Sequence, residues 1–92
     1  MAIPGWLVEK LVCPERRDLH LRVVAGPGVE PLNGKIAAGA VRDRGDRPVR
    51  GALDEVLVRW DGRLAYPVID GIPRLCVEDG IDLGRVGVTL RR

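Results

Sequence analysis

Residues 55–77 read EVLVRWDGRLAYPVIDGIPRLCV, and this stretch decides the fold. Three β-prone runs are separated by two Asp-Gly dipeptides, Asp61-Gly62 and Asp70-Gly71. Asp-Gly between alternating apolar residues is the strongest short-range hairpin signal. Two successive two-residue type I′ turns make an antiparallel meander in which Leu57 faces Tyr66 and Tyr66 in turn faces Leu75. One face then carries Leu57, Leu64, Tyr66, Val68, Leu75 and Val77. The other carries Val56, Val58, Trp60, Ala65, Ile69, Ile72 and Cys76. An antiparallel sheet with one wet face shows polar residues on it. Here only Arg59, Arg63 and Arg74 interrupt, so either the chain covers both faces or one is kept for a partner. Pro67 and Pro73 each remove a ladder donor, which suits an edge or a bulge.

Outward from this meander the patterns weaken. Residues 18–25, DLHLRVVA, alternate with Leu19, Leu21 and Val23 on one side and His20 and Arg22 on the other, as in a half-buried strand. Residues 4–12, PGWLVEKLV, fit a short helix with Pro4 in its first turn, ended by Cys13-Pro14. The segment 26–52 is an insertion. Within it Leu32, Ile36 and Ala40 share a helical face, weakened by Gly34 and Gly39 at about 1 kcal/mol each relative to alanine. Residues 42–51, RDRGDRPVRG, are expected to be an exposed, mobile linker. A turn at Glu78–Gly80 and a loosely held tail over 81–92 complete the chain. The expected fold is α+β: a small antiparallel sheet of three to four strands, zinc-ribbon-like by family resemblance, with an N-terminal helix and a short helix in the insertion, metal-free.

The chain of 92 residues makes one domain, over 1–92, that holds a single core but not a core plus a deep cleft. A net charge of +2 does not by itself argue for nucleic acid or membranes. Two distant cysteines form no disulfide framework, and no apolar run approaches a membrane span. A soluble, cytoplasmic protein is the expectation.

Chemistry is scarce. No serine is present, and nothing in the spacing pairs His20 with Cys13 or Cys76. Asp70 and Gly71 read as turn residues. Structural zinc takes four Cys or His ligands, commonly as two close pairs. Cys13-Pro14-Glu15-Arg16 supplies only the first half of such a knuckle. Neither enzymatic activity, metal nor cofactor is expected.

The stretches LVEKLVCP and LAYPVIDGIPRL, followed by an acidic pair, resemble the Trm112-like family, including its short bacterial members of uncharacterised role. The likeness covers residues 6–14 and 53–80. The family places zinc ligands at positions where this chain keeps Cys13 but has Arg16, Arg59 and Gly62, so the resemblance implies a degenerate site that has lost its metal. It also implies a function by contact: a non-catalytic partner or activator of an S-adenosylmethionine-dependent methyltransferase acting on translation components. On this reading Tyr66, Pro67, Ile69, Gly71, Ile72, Pro73 and Leu75 form the partner-binding edge, with Asp70-Gly71 as its turn. The alternative is a small nucleic-acid-binding module of zinc-ribbon-like ancestry using the Arg42–Arg50 loop. On the leading reading, contact with nucleic acid is weak or indirect. A third reading is a homo-oligomer that buries its own spare face.

Overall fold

The computed structural model describes Val12, residues 19–49 and residues 51–90. The helix expected over 4–12, Cys13 and Arg16 therefore lie outside the described residues, apart from Val12, which forms an isolated antiparallel bridge with His20. Strands β1 (Leu21–Ala25), β2 (Glu55–Arg59), β3 (Leu64–Ile69), β4 (Ile72–Pro73) and β5 (Ile81–Asp82) form one antiparallel sheet in the order β1-β2-β3-β4. Strand β5 also pairs with β3. Among the described residues two α-helices accompany it, α1 (Glu30–Ala37) and α2 (Leu83–Val86). The α+β class expected from sequence is the observed one, with one strand more than expected. Among the described residues no helix is long and apolar enough to cross a membrane.

The register between β2 and β3 is the expected one: Leu57 faces Tyr66 and Val58 faces Ala65. The Asp70-Gly71 turn also forms as expected, with φ of 53° and 76°, the left-handed pair of a type I′ turn, closed by Ile69 facing Ile72. Asp61-Gly62 differs. Gly62 is left-handed at φ 78° but Asp61 is not, and the Gly62 N–H donates to the Arg59 carbonyl at 2.7 Å. The Asp61 carboxylate accepts from both the Arg59 side chain and the Arg63 N–H, which holds the aspartate in a different turn while leaving the register intact.

Beyond Pro73 the expected meander stops, so Leu75 is not laddered against Tyr66. The outer edge of β3 is shared instead: β5 pairs with Leu64 and Ala65, β4 with Val68 and Ile69. Pro67 lies between these two short partners. Its carbonyl accepts the Arg74 N–H at 2.9 Å, so its proton-less nitrogen faces the same interrupted edge, where no donor is demanded. This is how a proline sits in the middle of a strand paired on both sides.

Both faces of the sheet are buried, so of the two alternatives left by the sequence, cover by the chain itself holds over the middle of the sheet. Against Val24, Val56, Val58 and Ala65 pack Leu32 and Ile36 of α1, Val41 and Leu53, and then Ile81, Leu83, Val88 and Leu90. The other face holds Leu21, Leu57, Leu64, Tyr66 and Val68, with Val23 and Leu75 against them. Each fully buried aliphatic side chain contributes about 1.5–3 kcal/mol, so this second layer outweighs the helix-weakening glycines.

The cover is also hydrogen-bonded in place. Asn33 of α1 clamps the chain before β2, its Nδ2 donating to the Leu53 carbonyl at 2.9 Å and its Oδ1 accepting the Leu53 N–H at 2.8 Å. The segment expected as a mobile linker docks on the turn after β4: the Arg44 N–H donates to the Gly80 carbonyl and the Gly45 N–H to the Glu78 carbonyl. The segment expected as a loose tail caps α2 through Asp82, whose carboxylate accepts the Gly84 and Arg85 N–H groups. It ends α2 at left-handed Gly87 and receives Arg22 of β1 on the Leu90 carbonyl at 3.2 Å. His20 is exposed, as its place on the polar side of the β1 pattern suggests.

Candidate interaction surface

The seven residues expected to form a partner-binding edge divide sharply. Tyr66 and Pro67 are buried, Tyr66 completely, and so belong to the core rather than to a docking surface. Gly71, Pro73 and Leu75 are half-buried, Leu75 against the tyrosine face. Only Ile69 and Ile72 are open, at 42% and 59% exposure. They face each other across the β3–β4 hairpin, directly beside the Asp70-Gly71 turn. Their face of the sheet is the one covered by α1 and the tail, so they mark where that cover runs out.

A shallow groove of about 340 Å³ runs beside them, with Val49, Leu53, Pro67 and Ile69 as its apolar lining and Arg47 and Arg74 among its polar residues. Arg47 bridges Asp79 at 2.8 Å and Asp43 at 3.3 Å. Arg74 is fixed at the backbone by its bond to Pro67 and follows directly on β4. Of these, Val49, Leu53 and Arg74 are not among the residues expected from sequence. Arg74 was legible there as one of the few interruptions of the apolar pattern; Val49 and Leu53 arrive from the insertion, which local patterning does not place.

At the opposite end of β2 and β3, Arg59 and Gly62, the positions that the family resemblance implies for a degenerate metal site, lie in one turn. The Arg59 guanidinium is buried and grips the Asp61 carboxylate at two points, Nε to Oδ1 at 2.9 Å and Nη2 to Oδ2 at 2.8 Å. Bonding to Arg59 holds the Asp61 carboxyl below the usual carboxylate range; burial opposes this as the next-largest effect, and the Arg63 N–H and the charges of Arg59 and Arg63 add to the lowering. A fork-to-carboxylate pair thus ties the turn where the family resemblance places thiolates. Among the described residues no three His, Cys, Asp or Glu side chains group as a metal site. Cys76 is a free, exposed thiol.

In the Arg42–Arg50 loop, Arg42 donates to the Asp46 carbonyl at 2.8 Å and lies 3.6 Å from its carboxylate, while Arg47 is committed as above. A second groove of about 420 Å³ borders this loop, where Arg42, Arg44 and Arg85 are matched by Asp43, Asp46 and Asp82. Its charge is balanced.

No family model and no curated protein matches the chain. Among solved structures it is similar to the solution NMR structure of XF2673 from Xylella fastidiosa, with a TM-score of 0.72 and 24% sequence identity, over 98% of this chain and 92% of that one. At that identity the likeness establishes a shared fold, over almost the whole of both chains.

Proposed function

We propose that this protein is a non-catalytic interaction subunit, a cytoplasmic partner or activator of an S-adenosylmethionine-dependent methyltransferase that acts on translation components. The observation that carries the reading is the open hairpin tip. Two isoleucines are held outward on a type I′ turn beside an apolar groove, while the other Val, Leu and Ile side chains among the described residues are buried or half-buried. Rigid apolar groups with no intramolecular use are what an interface employs. The Trm112-like pattern of LAYPVIDGIPRL directs the choice of partner class. Two isoleucines alone fall short of the ~800 Å² per partner of a standard interface, so the groove belongs to the contact surface too.

Co-expression of the tagged chain with the methyltransferases of its own genome tests this. One of them should co-elute in fixed stoichiometry, gain solubility or methyl-transfer activity, and lose the complex with the double substitution Ile69→Asp and Ile72→Asp. If every methyltransferase elutes alone with unchanged solubility and activity, the proposal fails.

A further inference from the structure

The open end of the sheet carries a charge that its surroundings do not answer. Both carboxylates that line the groove are taken by Arg47: Asp79 at 2.8 Å, and Asp43, which also accepts the Arg47 backbone N–H at 2.9 Å. Arg74 lines the same groove and is exposed, and among the described residues no carboxylate pairs with it. Its backbone N–H is anchored on the Pro67 carbonyl, so the guanidinium grows from a fixed point of the hairpin. Beside it lie Val49, Leu53, Pro67 and Ile69.

We infer that this groove takes an apolar segment of a partner protein that carries an acidic residue, with the apolar side chains on Val49, Leu53 and Ile69 and the carboxylate on Arg74. The inference rests on the interaction-subunit reading and names the kind of segment that interaction recognises. Three properties select this occupant. A planar guanidinium matches a carboxylate at two points. A basic segment meets Arg74 with Asp43 and Asp79 already neutralised, so it gains no attraction and suffers repulsion. A nucleic-acid backbone needs several free cations in a row, and Arg42 and Arg47 are engaged with carboxylates on their own loop. The volume, about 340 Å³, lies at the low end of the range of enclosed ligand pockets and the groove is open, which suits a few side chains of a larger partner.

The test is an array of synthetic peptides, about twelve residues long to span the groove and the tip, graded in apolar content and made in versions with central Glu, Gln or Lys. The full chain is the probe. Apolar peptides with Glu should be retained about three- to fivefold more strongly than those with Lys, the scale of one exposed ion pair. Arg74→Gln should level the versions, Arg74→Glu should reverse their order, and Ile69→Asp should lower retention of all. Arg74 is exposed, so these variants keep the fold, which amide spectra verify. No retained apolar peptide, equal retention of the Glu and Lys versions, or an order unmoved by Arg74→Glu overturns the inference. So does a concentration-dependent dimer broken by Ile72→Asp, which would assign the groove to a second copy. A methyltransferase complex that survives Arg74→Glu leaves the proposed function standing and removes this inference. Charge-selected peptides without any methyltransferase complex do the reverse.

Discussion

The middle of the sheet and the tip of its β3–β4 hairpin are made of the same material, and only one of them is covered. Val56, Val58 and Ala65 are fully buried, while Ile69 and Ile72, on the same face, stand in solvent. Alternation along a strand fixes which residues share a face; it says nothing of what lies on top. Here the cover comes from the two segments with the weakest local signals, the glycine-containing insertion and the glycine-containing tail. They stop short of the tip. The tip is therefore apolar surface left open by the placement of a cover, rather than surface that the chain lacked material to bury.

The most direct way to break this comparison is to weaken the cover. Ile81→Ala removes a fully buried side chain of the tail layer and should cost about 2–5 kcal/mol. Ile72→Ala at the tip should stay within about 0.5 kcal/mol. Urea unfolding of both variants measures the contrast. Equal losses would mean that the tip is structural or the tail is not, and the distinction would collapse.

Gly80→Ala asks how tightly the tail is joined to the sheet. A Cβ there would lie 3.2 Å from Cε1 of Tyr66 and 3.3 Å from the Val77 carbonyl oxygen. The backbone at Gly80 is ordinary for alanine, at φ −66° and ψ 143°, so any loss reports crowding against the ring and the Val77 carbonyl rather than a strained φ. An overpacking cost of about 1–3 kcal/mol is expected in the same urea assay. A variant as stable as the parent would show that the tyrosine ring has room to retreat.

These contrasts also show what the sequence can and cannot disclose. The Leu57–Tyr66 register and the Asp70-Gly71 turn were legible because both depend on local spacing. The turn at Asp61-Gly62 was not, because Arg59 captures the aspartate side chain that would otherwise leave it free to take up a left-handed conformation. The tail was not legible either. Its glycines look like looseness, yet Gly87 terminates α2 at φ 78° and Arg22, far off in β1, fastens the Leu90 carbonyl. At the candidate site Ile69 and Ile72 could be read from alternation. Tyr66 and Pro67 were misplaced because alternation does not show what buries them: Tyr66 packs with Leu21, Leu57, Leu64 and Val68 on the opposite face, and Pro67 sits at the shared outer edge of β3.

A smaller effect separates the two faces. Glu55 is buried on the tyrosine face, facing Val68 across the ladder, and among the described residues its Oε1 has no hydrogen-bond partner. An unsatisfied buried polar group costs stability that an apolar side chain of similar size does not. Glu55→Leu should therefore raise the free energy of unfolding by about 1 kcal/mol, read as a higher urea midpoint. A fall instead would mean that Glu55 is used, and would move attention from the hairpin tip to this row of the sheet.

The smallest effect concerns how the far turn is closed: the tip turn is held by backbone geometry alone, whereas the Arg59–Asp61 pair ties the other by charge. Asp61 has its carboxyl pKa lowered in the folded state, first by its bond to Arg59. A carboxyl that is more acidic when folded adds stability that is complete above its unfolded value, about pH 4, and is lost as the pH falls through the folded one. Asp61→Asn removes that contribution. Its stability deficit relative to the parent should be constant near neutrality and should shrink below about pH 4, as the parent loses what the variant never had. The carboxylate is partly exposed, so the deficit is small and salt reduces it. Stability curves that run parallel into the acid range would show that the turn is closed by its backbone and that the ion pair merely decorates it.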